Sequence, residues 1–406
     1  MTGFGRNRGH WQKMFQGAPR AGLFPPAHTH LQEVHGFGSN PGNLRMFRYL
    51  PDNLAAGPAL VVVLHGCTQT AAGYDLGAGW STLADRYGFA LLMPEQQRAN
   101  NPNGCFNWFL PEHSRRDAGE PSSIRQMIEK MVVDNRIDRD RVFVTGLSAG
   151  GAMTSVMLAC YPEVFAAGAI VAGLPYGAAA NVQQAFESMY KSPARSAREW
   201  GDLVRSASAH SGPWPRVSVW HGNADKTVIP SNAGEILKQW TAVHGLPVAP
   251  SSKAMVDGYP REVWRNASGD ELIESYSITG MAHGTPLATG EVEGACGAAG
   301  PFLLQVGISS SYHIAKFFGL AVAGGVRPAA SAIRLASPTP RAIEAGAPIA
   351  ASENETMRSE VLGGEILEGE ILDKDCDTRT RVPPSAAFEI GAVINKALKA
   401  AGLIKD

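Results

Sequence analysis

Residues 141–152, RVFVTGLSAGGA, carry the strongest structural signal in the chain. It opens with β-branched and aromatic residues that predict a short strand, continues as Gly-Leu-Ser-Ala-Gly, and then takes up helical spacing. The apolar positions of the predicted helix are Met153, Val156, Met157 and Cys160. A strand-to-helix turn with the pattern G-x-S-x-G holds a Ser hydroxyl, here that of Ser148, clear of the backbone. We expect Ser148 to be strained, and side chains in place of Gly146 or Gly150 to collide with the neighbouring strand and helix.

The turn at Ser148 matches the nucleophile elbow of α/β-hydrolases, in which an Asp and then a His follow, each on a loop after a later strand. A Ser hydroxyl is a poor nucleophile at neutral pH and needs a neutral His as base, oriented by a carboxylate. Asp225 follows the predicted strand RVSVW, and His283 follows the predicted strand SYSIT. We therefore predict Ser148 as nucleophile, Asp225 as acid and His283 as base. The alternatives are an incidental serine in a Gly-rich turn and a turn-forming Asp.

Three other histidines are predicted to have structural roles, because a lone His is usually satisfied by hydrogen bonds. His65 precedes the glycine of the loop after the apolar run ALVVVLH, and His313 lies on a predicted closing helix. His221 precedes Asp225 in the same turn and is expected to point elsewhere.

Two backbone N–H groups are predicted to form an oxyanion hole, the donor pair that stabilises the developing charge in acyl transfer. The residue after the nucleophile, Ala149, supplies one of them and begins a helix whose dipole favours negative charge. The second usually comes from the loop after the third strand, which is HGCT here, and the Cys67 N–H is the candidate. We expect Gly66 to let the backbone approach the substrate.

Strand and helix patterns alternate from about residue 59 to 320, which predicts a mainly parallel, doubly wound α/β sheet. The segments HLQEVHGFG and NLRMFRYLP predict an antiparallel edge hairpin in front of it, with its turn at 39–42. A Ser cap is predicted to start the clearest helix at Ser122, and the insertion at 178–210 is interpreted as a small lid. The other predicted elements are helices at about 71–87, 231–244 and 311–318, and strands at about 59–65, 89–94, 165–172, 216–220 and 261–279.

The chain is predicted to contain one folded domain between two segments of different composition. We expect a flexible arm at 1–28, an α/β-hydrolase domain at 29–325 and a disordered linker at 326–385. An amphipathic helix is predicted at 386–404. Three roles are open for it: docking on the core, pairing with a copy of itself, or binding a partner. The segment after the domain is predicted to be dispensable for catalysis.

Composition excludes several classes of function. The net charge of −1 and pI of 6.8 give no general basis for binding nucleic acid or an anionic membrane. No run of eighteen apolar residues occurs, and the basic N-terminus lacks the apolar region of a signal peptide, which favours a cytoplasmic protein. The five cysteines have no zinc spacing, so we expect no metal and no cofactor. The oligomeric state is left open.

Six linked motifs resemble the polyhydroxybutyrate depolymerase-type esterases, which are related to feruloyl and acetylxylan esterases. They are LHGCTQTAAGYD, PEQQRANNPNGCFNWF, RVFVTGLSAGGAM, AGLPYG, WHGNADKTVIPSN and GMAHGTPL, followed by ISSSYHIAKFFGL, in the family's order over about residues 30–322. The resemblance implies an α/β-hydrolase fold and a serine carboxylesterase that acts on poly(3-hydroxybutyrate), its oligomers or related small esters. Feruloyl or acetylxylan esters are the alternative substrates. Many relatives are extracellular and carry a secretion signal, which is not seen here.

The resemblance also implies roles for single residues. Carried over position by position, it makes Ser148 the nucleophile, Asp225 the acid and His283 the base, with Cys67 and Ala149 as oxyanion donors. The remaining alternatives are a non-catalytic binding module on a hydrolase fold and a serine peptidase. The peptidase would usually carry a large propeller or cap domain, for which this chain has no room.

Three loop residues near the predicted site carry two further hypotheses. Cys67 and Cys105 are predicted to form a disulfide that ties the oxyanion loop to the long polar loop at 95–120. The alternative is a pair of reduced thiols. Trp108 of the same polar loop is predicted to be an exposed aromatic that lines the acyl or alcohol pocket beside Ser148. The alternative is a core tryptophan that anchors the loop.

Overall fold

A computed structural model describes residues 30–321, and a ten-stranded sheet lies at the centre of this part of the chain. In chain order the strands are β1 Gln32–Val34, β2 Arg45–Tyr49, β3 Leu60–Leu64, β4 Ala90–Glu95, β5 Val142–Leu147, β6 Ala167–Val171, β7 Arg216–Gly222, β8 Ser252–Val256, β9 Tyr259–Arg265 and β10 Glu271–Ile278. Their spatial order is β1-β2-β4-β3-β5-β6-β7-β10-β9-β8. The six neighbouring strands β4, β3, β5, β6, β7 and β10 pair in parallel. At the two edges of the sheet, β1 and β2 and, on the other side, β8 and β9 pair antiparallel. The predicted edge hairpin and parallel sheet are confirmed.

Helices cover both faces of the sheet. In chain order they are α1 Ala71–Ala78, α2 Trp80–Tyr87, α3 Gly119–Asn135, α4 Ala149–Cys160, α5 Val182–Tyr190, α6 Ala197–Ser206, α7 Ser231–His244 and α8 Ser310–Phe317. Side chains of β3 alternate between two buried clusters: Val62 packs with residues of α3, α4, α6 and α7, and Val63 with residues of α1, α2 and α8. The strand is therefore buried on both faces, as its continuous apolar run predicted. Residues 30–321 therefore have the α/β-hydrolase fold.

The structure corrects two predicted helix boundaries. The single helix expected at 71–87 is two helices, because the chain turns at Gly79 with φ +76°. A Cβ at Gly79 would lie 2.5 Å from the Gly297 nitrogen and 2.6 Å from Cys296 Cβ, so glycine is needed there. The Ser cap predicted at Ser122 is wrong, since α3 begins at Gly119 behind Ala118 with no side-chain cap.

Three strands were not predicted. β8 forms a mostly exposed edge, and its sequence SKAMV lacks the alternation of a half-buried strand. The short strands β11 Thr285–Leu287 and β12 Leu303–Gln305 pair in parallel as a separate two-stranded sheet. This small sheet directly follows the loop that carries His283. The insertion predicted as a lid contains α5 and α6, and the Trp200 side chain on α6 is fully buried.

The predicted arm at 1–28, the linker at 326–385 and the amphipathic helix at 386–404 lie outside the described residues. Within residues 30–321 no helix is long and apolar enough to cross a membrane.

Candidate active site

The nucleophile elbow has the strained geometry that its sequence predicts. Ser148 has φ +58° and ψ −115° and stands between β5 and α4. A Cβ on Gly146 would lie 2.5 Å from the Gly150 carbonyl, and one on Gly150 would lie 2.2 Å from the Leu64 oxygen. Both distances are shorter than any real Cβ contact, so these positions require glycine. The predicted steric role of the two glycines is confirmed.

The structure brings the three predicted triad residues together. Ser148 follows β5, Asp225 follows β7 and His283 follows β10, and these parallel strands end at the same edge of the sheet. His283 Nε2 lies 2.9 Å from Ser148 Oγ, and His283 Nδ1 lies 2.7 Å from Asp225 Oδ2. With Nδ1–H donating to the carboxylate, Nε2 is free to accept the Ser148 hydroxyl proton.

Asp225 is held by four contacts. Its Oδ1 accepts hydrogen bonds from Thr227 N at 2.8 Å and Val228 N at 3.0 Å. Its Oδ2 faces His283 Nδ1 and, at 3.4 Å, His221 Nε2. Burial by itself would raise the pKa of Asp225, but the charges and hydrogen bonds of His283 and His221 outweigh it and hold that pKa well below its usual range. The carboxylate is therefore ionised at neutral pH.

The prediction that His221 points elsewhere is wrong. His221 is buried, and its Nε2 donates to the Val228 carbonyl at 2.8 Å while facing Asp225. The imidazole thus braces the turn from Asp225 to Val228, which the sequence could not show because the chain turns back on itself within that loop. Its buried Nδ1 has no hydrogen-bond partner among the described residues.

His65 and His313 are hydrogen-bonded, as their predicted structural roles require. The buried His65 has Nδ1 2.8 Å from the Gly66 carbonyl, and its Nε2 accepts from Gln96 N at 3.1 Å. Burial lowers the pKa of His65, so its ring stays neutral. The buried His313 has Nε2 2.7 Å from Asp257 Oδ2.

Both predicted oxyanion donors are unpaired within residues 30–321. Ala149 is buried and is the first residue of α4, where backbone N–H groups have no partner inside the helix. Neither its N–H nor that of Cys67 donates to another protein group in the described part of the chain. The Ala149 N–H therefore has a free hydrogen-bonding capacity, as the predicted role requires.

The loop after β3, residues 65–68, carries the predicted oxyanion donor Cys67 and is called the oxyanion loop. The long loop after β4 fixes its position. Cys67 and Cys105 form a disulfide with their Cα atoms 4.3 Å apart, which confirms the predicted bond. Beside it Thr68 has φ +66°, and its N–H donates to the Asn103 carbonyl at 2.7 Å. A β-branched residue rarely adopts this backbone conformation, so the hydrogen bond and the disulfide hold the loop in a strained shape.

A buried carboxylate organises the long loop from inside. Glu120 Oε1 accepts from Gln96 Nε2 at 2.6 Å and from Asn107 Nδ2 at 2.7 Å, and its Oε2 accepts from Asn107 N at 2.8 Å. Burial of this fully covered side chain raises the pKa of Glu120 to about 7. Because Gln96 also donates to His65, the network connects α3 to the oxyanion loop. Sequence analysis missed Glu120 and Gln96; the only signal was that Gln96 stands in the quoted PEQQ motif.

Trp108 is not the exposed aromatic that was predicted. Its side chain is 7% exposed and packs in the cluster that includes residues of α3 and α4, with its ring edge-to-face against Phe109. The premise of exposure is wrong because the loop folds back so that Trp108 packs with core residues of other elements. No group of three His, Cys, Asp or Glu side chains in residues 30–321 is placed to hold a metal ion.

Comparison with known proteins identifies the family. Residues 44–262 match the family described as Esterase PHB depolymerase. The chain belongs to this esterase family. It is 47% identical over 291 residues to the poly(3-hydroxyalkanoate) depolymerase C of Paucimonas lemoignei, which covers 71% of this chain and 70% of that protein. The predicted resemblance is confirmed, and the chain is a carboxylic ester hydrolase.

Related esterases of other names share the fold. The chain is 36% identical over 269 residues to an acetylxylan esterase of Coprinopsis cinerea, which covers 64% of this chain and 71% of that protein. Among solved structures, the acetyl xylan esterase from Aspergillus awamori matches with a TM-score of 0.61 and 28% identity, covering 72% of this chain and 99% of that chain.

Proposed function

We propose that this esterase hydrolyses poly(3-hydroxyalkanoate) esters through a Ser148–His283–Asp225 triad. The observation that carries the proposal is the continuous line of hydrogen bonds from Asp225 Oδ2 through the imidazole to Ser148 Oγ. Each member lies after a different strand, so local turn chemistry does not explain why they meet. A buried, ionised carboxylate behind a His that faces a strained Ser is the arrangement that nucleophilic acyl transfer requires.

In the first step Ser148 Oγ attacks the ester carbonyl carbon while His283 Nε2 takes the hydroxyl proton. The carbonyl oxygen becomes an oxyanion, which the Cys67 and Ala149 N–H groups stabilise. The bond from carbon to the alcohol oxygen then breaks, and that oxygen takes the proton from His283. An acyl ester remains on Ser148, and Asp225 has stabilised the imidazolium throughout.

In the second step water replaces the alcohol. His283 Nε2 takes a proton from the water as its oxygen attacks the acyl carbon, and the same two N–H groups stabilise the second oxyanion. The bond to Ser148 Oγ breaks, and that oxygen takes the proton back from His283. The carboxylic acid product leaves and gives its proton to solvent at neutral pH.

The polyester substrate is supported by the 47% identity to the Paucimonas lemoignei depolymerase. A second candidate, hydrolysis of acetylated xylan, is supported by the 36% identity and by the TM-score of 0.61 to acetyl xylan esterases. The Cys67–Cys105 disulfide supports a protein that works in an oxidising compartment.

One set of assays tests the mechanism and the substrate together. The parent protein and Ser148→Ala are compared on p-nitrophenyl butyrate, 3-hydroxybutyrate trimer, polyhydroxybutyrate granules and acetylated xylan. We expect the parent to favour the trimer and granules, and Ser148→Ala to lose on the order of 10⁶-fold in kcat on every ester. Hydrolysis by Ser148→Ala at a tenth of the parent rate would contradict the triad. Preference for acetylated xylan would contradict the polyester assignment alone.

A further inference from the structure

Phe302 lies against the proposed base. Its ring is half-buried, and its centroid is 6.0 Å from that of the His283 imidazole at an interplanar angle of 79°. Its carbonyl accepts a hydrogen bond from Thr285 N at 2.8 Å, two residues beyond His283. Phe302 therefore contacts the histidine loop through both its ring and its backbone.

The backbone of Phe302 is strained. Its φ is +62°, a value that a bulky residue rarely adopts because Cβ crowds the following carbonyl. Among the non-glycine residues of the described chain with positive φ, five are neither Asn nor Asp: Thr68, Arg136, Ser148, Ala172 and Phe302. Ser148 is the proposed nucleophile, and Thr68 follows a proposed oxyanion donor. Strain of this kind persists where the surrounding structure enforces it, and it concentrates at functional sites.

The reaction geometry indicates which part of the substrate Phe302 meets. His283 Nε2 gives its proton to the leaving alcohol oxygen, so the alcohol part of the ester must lie beside the imidazole. We infer that the exposed part of the Phe302 ring forms the wall against which the alcohol part of the ester packs, so that Phe302 selects apolar leaving alcohols. The inference rests on the proposed triad. A rigid aromatic wall gives large apolar contact with little conformational entropy to lose.

The test removes the ring without adding strain. Phe302→Gly suits a positive φ, so it is expected to fold. Arg136→Gly is the matched control, because Arg136 has φ +51°, is exposed and ends α3 away from the sheet edge that carries Ser148. Phe302→Leu is the second variant and keeps apolar bulk without the ring. The Tm of each protein is measured as a check on its stability.

Two ester series separate the alcohol side from the acyl side. Methyl, butyl and benzyl butyrate vary the alcohol, and p-nitrophenyl acetate, butyrate and hexanoate vary the acyl group. We expect Phe302→Gly to lower kcat/KM about 10-fold for benzyl butyrate and little for methyl butyrate. The order of kcat/KM among the three p-nitrophenyl esters and the Tm should stay as in the parent. Phe302→Leu should fall between, and Arg136→Gly should match the parent on every ester.

Three results would overturn the inference. The first is an equal loss of kcat/KM on methyl and benzyl butyrate in Phe302→Gly, which would mean that Phe302 only orients His283. The second is a lowered Tm with unchanged kinetics, which would make the ring purely structural. The third is a changed acyl ranking with an unchanged alcohol ranking. Failure of the triad itself is seen separately, as hydrolysis by Ser148→Ala, and none of these outcomes mimics it.

Discussion

The backbone at Ser148 is where single residues matter most. Its φ of +58° costs about 1–3 kcal/mol for a residue that is not glycine, and the cost is offset by packing that Gly146 and Gly150 permit. The Leu64 carbonyl lies so close to Gly150 that even one methyl group would push α4 away from β3. The proposed nucleophile is thus placed by the residues around it rather than by its own preference.

Trp108 gives a prediction at the same scale. Because its side chain is 7% exposed and packs in the core, Trp108→Ala should lower the free energy of unfolding by about 3–5 kcal/mol. We expect KM for 3-hydroxybutyrate oligomers to stay near the parent value in the folded variant. Urea unfolding and steady-state kinetics check both parts. A raised KM with unchanged stability would instead support the binding role predicted from the sequence.

At the scale of elements, the proposed oxyanion loop depends on the loop between β4 and α3 that braces it. The disulfide, the hydrogen bond from Thr68 N to Asn103 and the contact between Gln96 and His65 all cross between these two loops. Such positioning matters because an oxyanion donor works only when it is aimed before the charge develops.

The disulfide is predicted to support both stability and rate. Replacing Cys67 and Cys105 together by Ser should lower the free energy of unfolding by about 4 kcal/mol, since the bond closes a segment with a sequence separation of 38. We expect kcat to fall with little change in KM, because the proposed oxyanion donor, the Cys67 N–H, would act mainly on the transition state. A reductant should reproduce both effects in the parent and leave the double variant unchanged. Parent kcat in the double variant would show that the loop holds its shape without the bond.

Glu120 gives a pH-dependent prediction. Its pKa is raised from 4.5 to about 7 in the folded protein, so between these values the folded state binds more protons than the unfolded chain. This contribution to stability is fully present below pH 4.5 and is lost as the pH rises toward 7. Glu120→Gln should make the fall in unfolding free energy between roughly pH 5 and pH 8 shallower, by up to about 3 kcal/mol.

The control for Glu120, which lies in the first turn of α3, is Glu112 in the loop just before that helix. Glu112 is exposed, so Glu112→Gln is the matched loss of a carboxyl group outside the buried network of Gln96, Asn107 and Glu120. Asp75 contributes a slope of the same sign, because burial raises its pKa to about 6, and for this reason some slope remains in every variant. An equal slope in the parent and in Glu120→Gln would contradict the assignment.

Sequence analysis could predict the elements whose causes are local or periodic. The apolar run of β3 and the elbow at Ser148 depend on nearby residues, so their patterns are visible without a structure. Other features depend on contacts that form only when the chain folds. They are the break at Gly79, the pairing of β11 with β12, and the contact of His221 with Asp225. The burial of Trp108 is of the same kind, because Trp108 packs in a core cluster with residues of α3 and α4 that lie further along the sequence.

At the scale of the whole molecule, the parallel strands place every proposed site residue at one edge of the sheet. β3 leads to Cys67, β5 to Ser148, β7 to Asp225 and β10 to His283. Ligands of open α/β sheets bind at this edge because loops from several strands converge there. The matched family region and the described sheet both lie before residue 322.

A shortened chain tests whether the site is complete in this region. A chain ending at Val326 should keep its kcat/KM for p-nitrophenyl butyrate, because the described residues already include every proposed site residue. The measurement is a comparison with the full chain at equal concentrations of folded protein, and an intact chain carrying Ser148→Ala sets the background rate. Lost folding or activity would show that residues after 326 stabilise the domain.

We claim that Ser148 carries the acyl group during turnover, and covalent labelling of the activated serine can check this. Diethyl p-nitrophenyl phosphate transfers its diethylphosphoryl group to an activated serine with loss of p-nitrophenol, and peptide mass mapping locates the adduct. We predict one adduct per chain, located on Ser148, with activity lost in proportion and no adduct on Ser148→Ala. An adduct on another residue that abolishes activity, or full activity in a protein labelled at Ser148, would contradict the claim.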